Sequence, residues 1–209
     1  MVRVLIVDDH AVVRNGLRNI VASELDDVYC GEAGNGEEAL TLVRQQPWDL
    51  LILDLSLPGR SGIEVLNDLK ELNAKPRVLV LSNYPEDLYG TRVLKAGAWG
   101  YLSKEAAAEE LSRAIRQILA GKRYITSSLA DQLARDLWEQ EGPTSRTLSD
   151  RELEVLQMIA SGRTVGEIAE QLHLAVTTVS TYRMRLLEKT QKTTTAELIR
   201  YALDNHLVS

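Results

Sequence analysis

Two short apolar runs each deliver aspartate at their carboxyl end. Arg3-Val4-Leu5-Ile6-Val7 leads into Asp8-Asp9, and Asp49-Leu50-Leu51-Ile52-Leu53 leads into Asp54. Both runs are leucine-rich and β-branched, as strands covered on both faces are. Laid side by side and parallel, they bring three carboxylates to one sheet edge. Three anions in one cleft repel strongly unless a cation sits among them. Hard oxygen ligands suit Mg²⁺, which binds a few carboxylates and keeps several waters. Such a site can neutralise an incoming phosphoryl group and position one carboxylate to accept it.

The pattern around these runs fixes the fold class. Residues 3–7, 28–33, 49–53, 77–81 and 99–102 read as strands. Helix-period stretches lie between and after them, at about 11–24, 36–46, 61–73, 87–96 and 106–119. Alternation of this kind implies right-handed crossovers and a doubly wound parallel five-stranded sheet with helices on both faces. Doubly wound sheets hold ligands at the carboxyl ends of their strands. Two further groups occupy such ends: Ser82 after Val78-Leu79-Val80-Leu81, and Lys104 after Trp99-Gly100-Tyr101-Leu102-Ser103. A hydroxyl and an ammonium both donate to phosphoryl oxygens, and the ammonium also offsets the carboxylates. One aspartate after a strand is usually a turn former or helix cap. Five groups at matched strand ends are hard to obtain by chance.

After Gly121 the pattern changes. Residues 127–140 read as one more amphipathic helix, with Leu129, Leu133 and Leu137 four apart, and Glu141-Gly142-Pro143-Thr144-Ser145-Arg146 as a linker. From Leu148 onward strand signals stop and four helices follow, at about 149–160, 164–172, 176–189 and 194–205. Ser149-Asp150-Arg151-Glu152 is a capping box. His173-Leu174-Ala175 is a tight turn between two of these helices, the layout of a helix-turn-helix. The chain thus divides into residues 1–120, a connection over 121–146 and residues 147–209.

Charge excludes a simple basic DNA-binding protein. Residues 1–146 carry a net charge of −5 and residues 147–209 a net of −1. Any nucleic-acid contact must come from a local patch. Arg183, Arg185, Lys189 and Lys192 form one, relieved in sequence only by Glu188. The apolar stretches are strand-sized, which predicts no membrane insertion. The absence of a leader-like start and the single Cys30 fit a reducing cytoplasm.

Asp8-Asp9, Asp54 with Pro58-Gly59 and Gly62, Ser82-Asn83 and Lys104 together resemble a response-regulator receiver domain over about residues 1–120. That resemblance implies a flavodoxin-like fold in which Asp54 accepts a phosphoryl group from a sensor histidine kinase. It also implies that Asp9, Asp54 and the Ser56 backbone carbonyl hold Mg²⁺ with help from Asp8. Ser82 and Lys104 would ligate the phosphate, and Tyr101 would be the aromatic switch. Leu148-Ser149-Asp150-Arg151-Glu152-Leu153-Glu154-Val155-Leu156, Glu167-Ile168-Ala169 and Thr178-Val179 with Tyr182-Arg183 and Leu186 resemble the LuxR-type DNA-binding domain. The whole chain is then similar to a response regulator of the NarL/FixJ subfamily.

That implies a transcription regulator that forms a homodimer on phosphorylation and binds double-stranded promoter DNA. Its helix over residues 176–189 would enter the major groove. Thr177, Thr178, Ser180, Thr181 and Met184 would lie at or near the bases. Arg183, Arg185 and Lys189 would flank them on phosphates. Thr177 and Ser180 stand where family members often carry Lys, and Ala175 where Ser often caps the helix. Thr190 takes a place that is usually apolar, where a hydroxyl without a partner would cost about 1–3 kcal/mol. Two other functions compete: a haloacid-dehalogenase-type phosphatase, disfavoured because the first strand ends Asp8-Asp9-His10 rather than in a DxD pattern, and a regulator whose output is protein binding.

Overall fold

A computed structural model describes residues 1–209 apart from 73–74, 107, 139–147, 206 and 209, with backbone alone at 136–138. Contacts divide the chain into two units, Met1–Arg135 and Asp136–Ser209. The 141–146 stretch read as a linker lies outside the described residues.

In the first unit β1 (Val2–Val7), β2 (Val28–Ala33), β3 (Leu50–Leu53), β4 (Arg77–Ser82) and β5 (Gly100–Ser103) alternate with five helices. These are α1 (Ala11–Glu24), α2 (Gly36–Gln45), α3 (Gly62–Lys70), α4 (Glu86–Lys95) and α5 (Ala108–Leu119). The strands pair in parallel in the order β2-β1-β3-β4-β5. This is the expected flavodoxin-like sheet. The order reverses at β1, so the β1/β3 edge is the switch point where a ligand crevice opens. Register places Val7 opposite Leu53, and the Asp54 amide donates to the Val7 carbonyl at 2.9 Å. The residues that follow, Asp8 and Asp54, therefore face each other across adjacent strand ends.

Period-two alternation divides the core. Val4, Ile6, Leu50, Ile52, Leu79, Leu81 and Leu102 share one sheet face with Leu17 and Val21 of α1 and Leu111, Ile115 and Ile118 of α5. All four residues of β3 are fully buried, as the central strand of such a sheet requires. Side-chain caps fix where helices begin. Asn35 accepts from the Glu38 amide at α2, and Ser61 and Glu64 form a capping box at α3. Beyond β5, Tyr124 forms a parallel bridge with Gly100, and α6 (Ser127–Trp138) follows. Thr126 donates to Glu86 at 2.6 Å, and Leu129 is buried over Gly90 of α4.

The second unit holds α7 (Asp150–Ala160), α8 (Val165–Gln171), α9 (Val176–Thr190) and α10 (Thr195–Asp204). Capping boxes open α7, α8 and α10, the first being the Ser149–Glu152 pair read from sequence. Leu153, Leu156, Ile168, Val179, Leu186 and Leu198 are fully buried. Leu187, next to Leu186 on α9, is only half-buried. Between α8 and α9 the chain turns through His173 at φ 51°, in the left-handed region, which makes the turn tight. Thr190 is buried as expected, yet its hydroxyl donates to the Leu186 carbonyl at 2.6 Å. The expected desolvation cost is thereby removed.

Gly62 sets how closely α3 approaches the phosphoacceptor strand. A Cβ there would lie 2.2 Å from the Asp54 carbonyl oxygen and 2.8 Å from Leu55 Cα, both backbone atoms. Gly62→Ala should therefore displace the segment after β3 and cost about 1–3 kcal/mol in urea unfolding. Wild-type stability in that variant would contradict the packing described.

Candidate functional site

The acidic site is built from four strand ends. Asp8 and Asp54 are buried, at 1% and 3% relative exposure, whereas Asp9 is open to solvent. Lys104, from beyond β5, reaches across the strand ends. Its Nζ donates to Asp8 Oδ2 at 2.6 Å and to Asp54 Oδ2 at 2.8 Å. One ammonium thus stands between two carboxylates that would otherwise repel. Burial pushes the Asp54 carboxyl up, against the pull of Lys104 and the Ser56 amide and together with Asp8. Burial also works against the Lys104 ammonium, but Asp54 and Asp8 outweigh it and hold its pKa above the ordinary lysine value.

The two Asp54 oxygens differ. Oδ2 takes the lysine, whereas Oδ1 is buried with no protein hydrogen-bond partner. A buried carboxylate oxygen left bare is costly unless a cation or donor meets it. That buried, unpartnered oxygen fits a hard divalent cation. Asp8, Asp9 and His10 also bring one ligand atom each within 4.8 Å of one another. His10 Nδ1 lies 2.7 Å from Asp9 Oδ1, a contact not anticipated from sequence although the three residues are adjacent there. The Ser56 amide favours the charged form of the Asp54 carboxylate.

Ser82 ends β4, is fully buried, and accepts from the Tyr84 amide at 3.2 Å. Tyr101 is also fully buried; its hydroxyl donates to the Tyr84 carbonyl. Burial drives the Tyr101 pKa far up, a Ser82 hydrogen bond only partly opposing it, so the phenol stays protonated. Tyr84 stacks on Tyr89 of α4 at 4.7 Å between ring centroids. Ser82, Tyr84 and Tyr101 therefore form one connected group running from the pocket toward α4.

In the second unit α9 has its expected polar face outward. Thr177, Ser180, Met184, Arg185 and Lys189 are exposed, and Thr178, Thr181 and Arg183 are partly so. Ala175 at the N-cap makes no side-chain bond, which forgoes roughly 1 kcal/mol of helix stabilisation. The basic patch is less open than its sequence suggests. Lys189 donates to the buried Glu152 carboxylate at 2.7 Å, so Glu188 is not its only relief. Arg183 donates to the Thr195 hydroxyl at 3.2 Å. Burial resists ionisation of Glu152, but the Lys189 bond and the Ser149 cap outweigh it and depress its pKa.

Two stability effects follow from the pocket. Because Asp54 ionises less readily when folded than unfolded, its charge costs stability above its folded pKa, and the cost fades as pH falls below it. Asp54→Asn should therefore melt above wild type at neutral pH. Lys104→Met should melt lower, losing about 2–3 kcal/mol, because it leaves two buried carboxylates unbalanced at a pocket whose mouth stays open. Thermal and urea unfolding at neutral pH check both, and equal stabilities for the three proteins would contradict this charge balance.

Residues 4–116 match the family described as response regulator receiver domain, and residues 146–202 match bacterial regulatory proteins of the luxR family. The chain is 38% identical over 209 residues to Response regulator UvrY of Escherichia coli K12, covering 99% of this chain and 96% of that one. It is 37% identical over 210 residues to Response regulator GacA of Pseudomonas aeruginosa, covering 100% and 98%. Among solved structures, RcsB of Salmonella typhimurium aligns with a TM-score of 0.68 at 25% identity, covering 96% of both chains. A complex of the response regulator RcsB with DNA aligns with a TM-score of 0.58 at 25% identity, again covering 96% of both. No helix among the described residues is long and apolar enough to cross a membrane. With a receiver unit in front and a luxR-type helix-turn-helix unit behind, the chain is a DNA-binding, transcription-regulating response regulator of the NarL/FixJ family.

Proposed function

We propose that Asp54 is the phosphoacceptor and that a sensor histidine kinase is the donor. The observation that carries this is the state of its carboxylate: buried at the switch point, one oxygen on Lys104 and the other bare. Asp54 Oδ1 attacks phosphorus, a new O–P bond forms, and the bond to the donor breaks, leaving the donor imidazole with the electron pair. Lys104, already within reach, moves its donors to the phosphoryl oxygens, and the Ser82 hydroxyl becomes a second ligand. Asp9, Asp54 and the Ser56 carbonyl, with Asp8 assisting, would hold Mg²⁺, which when bound would supply positive charge against the developing anion. The chain ends as the phosphorylated species rather than as a catalyst of turnover, and it acts in the cytoplasm.

Residues 1–120 form the phosphoacceptor domain, 121–146 the connection and 147–209 the DNA-binding domain. Drawing Ser82 toward the phosphate disturbs the Ser82–Tyr84–Tyr101 group and shifts the population of the face around α4 toward a dimer. RcsB is solved as dimers bound to DNA, which supports a two-fold complex here. Each copy lays α9 in a major groove of promoter DNA, its Thr177, Thr178, Ser180, Thr181 and Met184 at the bases and Arg183, Arg185 and Lys189 toward phosphates.

Two experiments test this reading. Acetyl phosphate and Mg²⁺ should add a single phosphoryl group by intact mass, and Asp54→Asn should abolish it; labelling of the variant at wild-type level would refute the assignment. Arg185→Ala should weaken specific and random duplexes alike and reduce the salt dependence by about one phosphate contact. An unchanged salt slope would remove Arg185 from the interface.

A further inference from the structure

The outward face of α9 has a chemistry of its own. Val176, Ser180 and Met184 recur four apart and so share one stripe; Thr177 and Thr181 form the next. Val176 is 56% exposed and Met184 62% exposed. None of the five is charged, and none is Asn or Gln. Bidentate reading of guanine requires Arg or Lys, and bidentate reading of adenine requires Asn or Gln. These five positions therefore lack both. The Thr181 hydroxyl is moreover committed to the Thr177 carbonyl at 2.9 Å, which leaves it without a proton for a base.

The charged residues lie to the sides or beyond. Arg183 stands on one flank, tied to Thr195, and Arg185 and Lys189 stand on the other, Lys189 tied to Glu152. Cations at both edges suit the two phosphate walls of a groove and leave an uncharged strip for its floor. Glu188 follows Met184 by one turn, toward the end of the helix that docks last, since the N-terminal part of a recognition helix meets the bases. The one base-edge group that an apolar side chain recognises in the major groove is the thymine methyl.

We propose that this protein reads its operator through thymine methyl groups, with Val176 and Met184 as specificity-determining residues. Val176 is an addition to the base-reading set. The proposal rests on the reading of α9 as the recognition helix and goes further by naming what that helix recognises. The two side chains lie roughly 12 Å apart along the helix axis. They would therefore meet separate thymines in one half-site, Ser180 between them offering a hydroxyl to whatever base intervenes.

The test selects duplexes from a random pool with the full-length protein after acetyl phosphate treatment. Each thymine of the selected half-site is then replaced by deoxyuridine, which differs only in lacking the methyl. At the contacted positions binding should weaken about fourfold per methyl, the transfer value of one buried carbon group. Val176→Ala and Met184→Ala should each erase that penalty at one position and keep it at the other. Both residues are exposed, so the variants should unfold like wild type. Arg185→Ala should instead weaken thymine and uracil duplexes equally. Uracil duplexes bound as tightly as thymine duplexes, or penalties unchanged in both variants, would overturn the methyl readout while leaving DNA binding intact. Recovery of no duplex preferred over random DNA would overturn recognition by α9 itself and this inference with it.

Discussion

Lys104 holds together charges contributed by segments far apart in sequence. Asp8 lies 96 residues before it and Asp54 lies 50 before it, yet its ammonium is within 2.8 Å of both. At 4 Å and an effective dielectric near 20, two like charges cost about 4 kcal/mol. Without the lysine, β1 and β3 would have to pair while bringing two buried carboxylates together at their ends. The parallel sheet and the acidic site are therefore mutually dependent. The sheet places the carboxylates, and the ammonium makes their placement tolerable. The proposed phosphoryl group on Asp54 would redraw this balance by adding negative charge and claiming the lysine, so a local reaction would reach everything that leans on Lys104.

The path outward is short. Ser82 and Lys104 sit at neighbouring strand ends, joined by the Lys104 amide to the Ser82 carbonyl at 2.9 Å. Tyr101 and Tyr84 lie next to Ser82, and Tyr84 stacks on Tyr89 in α4. Packed elements of this kind have discrete arrangements rather than continuous ones. Proposed dimerisation then supplies affinity that a weakly charged α9 face lacks, since a second linked contact multiplies binding without new chemistry.

Strand-end aspartates, Ser82, Lys104 and the two-helix layout could be read from residue order because period-two and period-3.6 patterns fix where each side chain must stand. Elements matched to within a few residues for the same reason. What escaped were pairings made by tertiary packing. Lys189 and Glu152 are 37 residues apart on different helices, and nothing in either segment announces their bond. Thr190 looked like a buried defect because a composition argument cannot see its hydroxyl turn back onto Leu186. His10 stands beside both aspartates in the chain, but only the backbone path after β1 brings Nδ1 onto Asp9.

In the proposed mechanism, charge added at Asp54 is converted into assembly. Sedimentation velocity of the full chain, with and without beryllofluoride and Mg²⁺ over a range of concentrations, tests it most directly. The wild-type protein should shift from monomer to dimer, and Asp54→Asn should not. The same distribution in the presence and absence of the phosphate mimic, at every concentration, would contradict it.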